Sequence, residues 1–311
     1  MRKVISFLFA ACLMLLCACD YSPEYVDDGR LQIVCSSFPA YDFAREICGD
    51  KANITLLIKP GAEVHSFEPT PRVVVNITNC DLFICNGGES EEWVEELLDS
   101  RDSENINVLY MMDCVTAMEE SDEGIYAAEE EGEEEAELDE HVWTSPVNAQ
   151  LICEAISEKA CAADPENAGY YSANCDEYLA RLAELDKEFH AVCDNAENKT
   201  LVFADRFPMR YFTCEYGLSY YAAFPGCATE TEPSAKTVAF LIDKVRDEKI
   251  PAVLYMEFSN EKMADIVCED TGCGKLPFYS AHNISAEMLE QGVGYIDLMK
   301  INLESLKEVL N

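Results

Sequence analysis

Four histidines occur in the whole chain, and three of them lie in segments that could carry chemistry. His65 lies in a turn rich in Gly and Pro, KPGAEVHSFEPTPR, with Glu63 and Glu68 close by. His141 directly follows an acidic run, and His282 follows a predicted strand. Neutral imidazoles with one or two carboxylates suit a borderline cation such as Zn²⁺ in a four-coordinate site. The scarcity of histidine and its placement in loops therefore indicate a candidate metal site.

The elements that must position these residues alternate between strand and helix. Buried apolar runs such as LQIVC and TLVFA are separated by amphipathic segments with helix-start residues, and this alternation predicts parallel sheets with crossover helices. Residues 166–196 contain no internal Gly or Pro after the first turn and keep an apolar periodicity, which predicts one long helix. We therefore expect an α/β protein with two Rossmann-like lobes, residues 30–165 and 197–311, joined by that helix.

Ligands of open α/β sheets bind beyond the carboxyl ends of the strands. His65 follows the predicted strand ANITLLI, Asp205 follows TLVFA, Glu257 ends PAVLYME and His282 follows LPFYS. His141 comes from a loop ahead of a predicted helix. We expect these side chains to converge at one edge of the two sheets.

Some of these residues have simpler interpretations. Asp205 could be the N-cap of a helix over RFPMRYF, and Glu257 could serve only as a cap or hydrogen-bond partner. His190 lies on the long helix among charged residues, and we interpret it as solvated. The cysteine pairs are spaced C-x4-C, which is not the C-x2-C spacing of structural zinc sites: Cys80 with Cys85, and Cys268 with Cys273.

The first residues are typical of a targeting signal. Arg2 and Lys3 precede an apolar stretch too short to span a membrane comfortably, and the stretch ends in LCAC, which resembles a bacterial lipobox. We predict a signal peptide over 1–18, lipid on Cys19 and a polar tether over 19–29. The alternative is a plain signal peptide cleaved nearby. The expected location is extracytoplasmic, with the protein anchored to the cell membrane by this lipid.

Sixteen cysteines are present, and 13 remain beyond Cys19 (16 - 3). An exported protein can form disulfides, but the odd number leaves at least one thiol unpaired. Many of these cysteines lie in apolar runs, so we interpret most of them as small buried hydrophobic residues. Two pairs remain candidate bridges: Cys214 with Cys227, and Cys268 with Cys273.

The net charge of -38 argues against a nucleic-acid partner, because phosphate would be repelled. From Glu119 to Glu140, 13 of 22 residues are acidic and none is basic. Like charges at this density predict a disordered loop over 119–140. The loop is interpreted as a solvated segment, with a weak cation trap near the site as the alternative.

Taken in chain order, several segments resemble the metal-binding lipoproteins of bacterial zinc and manganese ABC importers. The segments span nearly the whole mature chain: KPGAEVHSFEPTP, CDLFICNGGESEEWVEELL, DEHVWTSPVNA, RYFTCEYGL, TETEPSAKTVAFLIDKV, VLYMEFSNEKMA and YIDLMKINLESLKEVL. The resemblance implies two α/β lobes, a rigid connecting helix, and a metal in the cleft between the lobes. It also implies an acidic loop before the second ligand, which in zinc-binding members is often rich in histidine but here has none.

The resemblance implies ligands residue by residue. His65 in GAEVHSFEP and His141 in DEHVW match the first two family ligands. The fourth family ligand is an acid about nineteen residues before the Asn of the last helix, and counting back from Asn302 reaches Asn283, one residue past His282. We interpret His282 as the fourth ligand. The third ligand opens a motif of the form H-D-A-F-G-Y-F, where this chain reads ADRFPMRYF. Without a gap Arg206 takes that position, but a guanidinium stays protonated and cannot ligate. With one inserted residue Asp205 takes it, and Asp205 is the predicted third ligand.

Other residues match positions that the family places near the metal without direct ligation. Glu232 and Glu257 match such acidic positions, and we group Arg206 with them. The set His65, His141, Asp205 and His282 therefore predicts a Zn²⁺ site, with Mn²⁺ as the alternative because manganese prefers carboxylates.

The expected function is extracytoplasmic capture of Zn²⁺ and its delivery to an ABC permease by a monomer. The alternatives are a Mn²⁺-specific binding protein and an adhesin-type lipoprotein with a structural metal. A metallohydrolase is disfavoured, because four protein ligands would close the coordination sphere and no H-E-x-x-H helix is present. The protein is therefore expected not to be an enzyme.

Overall fold

The computed structural model describes residues 28–62, 67–99, 106–126, 137–227 and 234–310. The predicted signal peptide, Cys19, His65 and Glu232 lie outside these ranges, so those predictions are not tested by the fold.

The first lobe is built on a sheet of four parallel strands in the order β2-β1-β3-β4. Its strands are β1 (Leu31–Cys35), β2 (Ala52–Leu56), β3 (Leu82–Cys85) and β4 (Val108–Tyr110). Its helices are α1 (Phe38–Cys48), α2 (Pro71–Thr78), α3 (Glu92–Leu98) and α4 (Pro146–Ala163). The strand β1 is buried along its whole length, as expected for a central parallel strand covered on both faces.

The second lobe repeats the arrangement with the order β6-β5-β7-β8, again all parallel. Its strands are β5 (Thr200–Phe207), β6 (Ser219–Pro225), β7 (Ala252–Met256) and β8 (Gly274–Phe278). Its helices are α6 (Arg210–Glu215), α7 (Ala235–Asp247), α8 (Lys262–Thr271), α9 (Ala286–Glu290) and α10 (Tyr295–Leu310). The predicted α/β class with two parallel sheets is confirmed, and the short helix α9 is an element that the sequence analysis did not predict.

One long helix, α5 (Ala168–Cys193), connects the lobes, within the range predicted for it. Its 26 residues span about 39 Å at the standard rise of an α-helix. Its buried face packs against α1 and α4 of the first lobe and α10 of the second. This face consists of Tyr171, Cys175, Tyr178, Leu182, Leu185, Phe189 and Cys193.

The largest apolar core is continuous across both lobes. It extends from β1 and α1, through the buried face of α5, to β5 and α10. A closely packed core resists large displacement of one lobe relative to the other, because such a displacement would open voids in the core. The shared core therefore favours small local rearrangements at the cleft.

The acidic run is folded at both of its described ends, so the prediction of disorder over all of 119–140 is wrong there. Glu119 pairs with Leu138 in an antiparallel bridge, and the amide of Glu120 donates to the carbonyl of Glu137 at 2.8 Å. The amide of Asp139 donates to the carbonyl of Met118, also at 2.8 Å. Backbone pairing to the adjacent segment offsets the repulsion that composition alone predicts. Residues 127–136 lie outside the described part.

The 13 described cysteines are all free thiols. The sulfurs of Cys268 and Cys273 lie 3.5 Å apart without a bond, and Cys214 and Cys227 are also free, so neither candidate bridge is present. Six of the 13 thiols are buried, which is fewer than the majority predicted from the sequence. Among the described helices, none combines the length and the apolar character needed to cross a membrane.

Candidate metal centre

A cavity of about 120 Å³ lies between the lobes, at the carboxyl ends of the strands. The first lobe contributes Gly61, Ala62 and His141 to its wall. The second lobe contributes the remaining residues: Arg206, Pro208, Gly226, Met256, Glu257, Phe258, Ser280, His282 and Asn283. The cavity thus contains two of the three histidines singled out from the sequence.

His141 is held by the end of the acidic run. Its ring Nδ1 lies 3.1 Å from Oδ1 of Asp139, and its backbone amide donates to the same oxygen at 2.8 Å. Tyr211 from the second lobe fixes this turn, because its hydroxyl donates to the carbonyl of Asp139 at 2.8 Å. A carboxylate on Nδ1 sets the tautomer and directs Nε2 to a ligand, which is the usual arrangement for a metal-binding imidazole.

His282 is held by the loop that follows β8. The amide of Ser280 donates to Oε2 of Glu257 at 2.8 Å, and its hydroxyl donates to the other oxygen of the same carboxylate. The amide of His282 in turn donates to the hydroxyl of Ser280 at 3.2 Å. Ala281 between them has a φ of 59°, a left-handed conformation that costs free energy for a residue with a Cβ. Glu257 therefore orients His282 through Ser280.

The two imidazole rings lie close together in the wall of the cavity, with one ring perpendicular to the other. Their ring centroids lie 5.6 Å apart with an interplanar angle of 89°. Two imidazoles on one tetrahedral zinc have centroids roughly 5 Å apart, given a zinc–nitrogen distance of about 2.0 Å. The indole of Trp143 lies against both rings, with centroids 4.7 Å from His282 and 5.7 Å from His141. The geometry of this pair suits a shared ion.

Two imidazoles alone do not complete a metal site. Within the described ranges, no group of three His, Cys, Asp or Glu side chains is close enough to hold an ion. His65 belongs to residues 63–66, outside those ranges, while the preceding residues Gly61 and Ala62 already line the cavity. His65 therefore stays a predicted ligand, which the described residues do not test.

The position of Asp205 argues against the predicted role as third ligand. It does not line the cavity, and its carboxylate accepts hydrogen bonds from the amides of Arg206 at 2.8 Å and Met256 at 3.2 Å. It lies inside β5, which continues to Phe207, so it does not cap a helix either. The strand β5 has a register shift between Phe203 and Arg206, and the residue after Asp205, Arg206, lines the cavity. Asp205 ties β5 to β7.

His190 and Ser90 lie outside the cavity, and nearby acidic side chains account for their polar contacts. His190 lies on α5 against Tyr216, with Asp186 and Asp194 within 4 Å, and 41% of its side chain is exposed. Ser90, in the turn before α3, donates its hydroxyl to Glu140. Neither residue lines the cavity.

Three residues of this centre were not predicted. Trp143 contacts both imidazoles, and the side-chain amide of Asn283 donates across the lobes to the carbonyls of Lys59 at 3.1 Å and Ala62 at 2.8 Å. Gly226 passes so close that a Cβ there would lie 3.1 Å from Cε1 of His141. Only the tryptophan had a signal in the sequence, since it lies two residues after His141.

The electrostatics of the centre follow from burial and from its hydrogen bonds. Burial lowers the pKa of His141, but the hydrogen bond and the charge of Asp139 outweigh it, so that this pKa lies above its usual value. Burial raises the pKa of Glu257, while its hydrogen bonds from Ser280 and the charge of Arg206 partly oppose that rise. The centre thus combines an oriented imidazole with a buried carboxyl group.

Comparison with known proteins shows the family of this chain. The family described as the periplasmic zinc-uptake complex component A, ZnuA, matches residues 33–309. The high-affinity zinc uptake system protein ZnuA of Bacillus subtilis is 32% identical over 311 residues, which cover 98% of this chain and 96% of that protein. The zinc-binding lipoprotein AdcA of Streptococcus pneumoniae is 30% identical over 310 residues. That alignment covers 99% of this chain and 61% of AdcA, so this chain spans about three fifths of AdcA.

Solved structures show the same fold. The metal-dependent lipoprotein YcdH from Bacillus subtilis superimposes with a TM-score of 0.77 at 31% identity, covering 90% of this chain and 99% of YcdH. The Zn(II)-bound ZnuA-like domain of Streptococcus pneumoniae AdcA gives a TM-score of 0.76 at 28% identity, covering 91% of this chain and 99% of that domain. From the family match over residues 33–309 and the 32% identity to ZnuA of Bacillus subtilis over 98% of this chain and 96% of that protein, the chain belongs to the ZnuA family, described as the periplasmic component A of the zinc-uptake complex.

Proposed function

We propose that this protein captures Zn²⁺ outside the cytoplasm and delivers it to an ABC permease for import. The observation that carries the proposal is the pair His141 and His282, which come from different lobes and face each other at 5.6 Å across a polar cavity. The relatives at 30% identity or more are named for zinc uptake and zinc binding. The role is binding and release of an ion, without a chemical step.

The proposed ligands are His65, His141 and His282. Asp139 holds His141 through Nδ1, and Glu257 holds His282 through Ser280. Imidazole nitrogens favour Zn²⁺ over Mn²⁺, which is harder and prefers carboxylate oxygens. Asp205 was the sequence-based choice for a further ligand, but the contacts of its carboxylate to two backbone amides favour a structural role.

The cellular setting is part of the proposal. A lipid on Cys19 would anchor the protein on the outer side of the cell membrane, and residues 19–29 would tether the folded part. The partner is the permease of an importer, and the proposed state is a monomer. The shared core across both lobes supports ion release by small local movement at the cleft instead of a wide hinge opening.

Two measurements test this function together. Competitive titration with Zn²⁺ and Mn²⁺, on protein purified without added metal, should give much tighter binding of Zn²⁺. A strain that lacks this protein should grow normally in zinc-replete medium, grow poorly under zinc limitation, and recover when the wild-type gene is restored. Tighter Mn²⁺ binding would move the assignment to manganese, and unchanged growth under zinc limitation would contradict a role in import.

A further inference from the structure

A segment of the first lobe covers the outer edge of the second sheet. The strand β6 is an edge strand, because the order of that sheet is β6-β5-β7-β8. Residues 118–126, where the acidic run begins, reach this edge. Ile125 forms a parallel bridge with Ala222, and the amide of Ala222 donates to the carbonyl of Gly124 at 3.0 Å. We call residues 118–126 the docked segment.

Side chains also attach the docked segment to the second lobe. Met118 and Ile125 pack against the core that both lobes share. The ring of Tyr126 lies 5.6 Å from the ring of Phe240 on α7. The hydroxyl of Tyr211 on α6 accepts the amide of Met118 at 2.9 Å. Backbone pairing, apolar contacts and a side-chain hydrogen bond therefore hold this segment to the second lobe.

Gly124 permits the close approach of the docked segment to β6. Its φ is 81°, a left-handed conformation that favours glycine. A Cβ at this position would lie 2.2 Å from the carbonyl oxygen of Tyr220. Because that oxygen belongs to the backbone of β6, it cannot rotate away as a side chain could. Any side chain at position 124 would therefore displace the segment from the strand.

The docked segment leads to a proposed zinc ligand. Tyr211 joins both chains of its base, since its hydroxyl accepts the amide of Met118 and donates to the carbonyl of Asp139. Asp139 in turn holds the ring and the amide of His141. On the other side, Gly226 follows β6 and lies against the same ring. The second lobe thus holds His141, although the chain places this residue in the first.

We propose that docking on β6 keeps His141 beside His282, and that undocking of residues 118–126 limits the rate of zinc release. This inference rests on the proposed function and makes Gly124 and Tyr211 positioning residues. His282 is held within the second lobe through Ser280, so both imidazoles depend on that lobe for their positions. An edge contact can open locally without unfolding of the core, and such an opening would free one side of His141.

The test mixes the zinc-loaded mature protein with excess chelator and measures the rate of zinc release. Gly124→Ala should release zinc at least about tenfold faster, because the added Cβ prevents docking. Gly272→Ala is the matched control. Its φ is 78°, but among the described residues no atom lies within 4 Å of a Cβ there, so it should release zinc as the wild type does. Faster hydrogen exchange at the Ala222 amide in Gly124→Ala alone would verify the undocking.

A second pair of variants keeps the test decisive if Gly124→Ala does not fold. Tyr211→Phe removes the hydroxyl that joins both chains of the base, and it should release zinc about fivefold faster. Tyr216→Phe is its control, because that hydroxyl donates to Asp186 on α5 at 3.0 Å. All rates are compared at a temperature where every variant is folded.

The outcomes separate this inference from the proposed function. Wild-type release rates in Gly124→Ala and Tyr211→Phe would overturn the role of docking and leave zinc capture standing. Equal acceleration in the two controls would overturn it as well, because the effect would then reflect general destabilisation. Absence of zinc binding by the wild type would instead contradict the proposed function.

Discussion

The indole Nε1–H of Trp143 donates to the carbonyl of Ser280 at 2.8 Å and so joins the two loops that carry His141 and His282. The carbonyl of Trp143 accepts from the hydroxyl of Tyr295 at 2.7 Å, which fixes the other side of the residue. Trp143 is completely buried. The side chain of Trp143 therefore sets the distance between the imidazole of His141 in the first lobe and that of His282 in the second.

Trp143→Phe should weaken both the fold and zinc binding. The substitution leaves the buried carbonyl of Ser280 without its donor, at a cost of about 1–3 kcal/mol in the free energy of unfolding. It also removes the indole from the face of His282. Urea unfolding and competitive zinc titration measure the two effects. Tyr171→Phe is the control, since it also removes one hydrogen bond of a buried aromatic residue, from its hydroxyl to Asp164, and Tyr171 does not line the cavity, so zinc affinity should stay unchanged. Equal zinc affinity of both variants would contradict the positioning role.

Asp205→Ala should destabilise the fold without a specific loss of zinc affinity. The amides of Arg206 and Met256 lose their shared acceptor, which we expect to cost at least about 2 kcal/mol in the free energy of unfolding. Zinc titration at a temperature where the variant is fully folded separates the two effects. A loss of zinc affinity by orders of magnitude with unchanged stability would make Asp205 a ligand after all.

Glu91 should make stability fall as the pH rises. Its carboxyl is buried and accepts the amides of Asn86 and Gly87 at 2.7 and 2.9 Å, and burial raises its pKa from 4.5 to about 7. Between these values the folded state holds a proton that the unfolded state has released, so the free energy of unfolding decreases with rising pH.

Glu91→Gln removes this titration and keeps an oxygen that can accept both amides. The variant should gain stability relative to wild type from about pH 4.5 to about pH 7, with a constant difference above that range. Urea unfolding across this pH range, in the presence of a zinc chelator, gives the comparison. The neighbouring exposed residue supplies the control, and Glu92→Gln should show the wild-type pH dependence. A pH-independent difference between Glu91→Gln and wild type would contradict the assignment.

Two parts of the acidic run should differ in their effect on zinc affinity. Replacing its six glutamates between residues 129 and 135 with glutamine should leave equilibrium zinc affinity nearly unchanged at physiological salt, because salt screens the interaction of solvated charges over distances beyond about 8 Å. Asp139→Asn should lower the affinity by roughly 10- to 100-fold, because Asp139 orients His141 through Nδ1. Competitive titration of both variants provides the measurement. A larger loss from the six glutamates than from Asp139 would place the acidic segment within the site.

Much of the fold could be predicted because the hydrophobic pattern of each segment agrees with its burial in the folded protein. The buried runs of β1 and β5 and the periodic face of α5 each have one structural interpretation, and all three were predicted. Histidines at strand ends follow the general rule for open sheets, and His282 lies where that rule places it.

The remainder depends on contacts between distant residues. Arg206 lines the cavity and Asp205 does not, and the hydrogen bond of Asp205 to the amide of Met256 depends on the pairing of β5 with the distant strand β7. Asn283 bonds to carbonyls more than 200 positions earlier in the chain. The ends of the acidic run fold because partner segments accept and donate backbone hydrogen bonds, which composition cannot indicate.

The central claim is that imidazoles from both lobes bind one zinc ion. The most direct test is a competitive zinc titration of His282→Ala beside His190→Ala, since both remove an imidazole and only the first removes one from the cavity. We predict that His282→Ala lowers zinc affinity by orders of magnitude and that His190→Ala binds zinc as the wild type does. Equal affinities of the two variants would contradict the account.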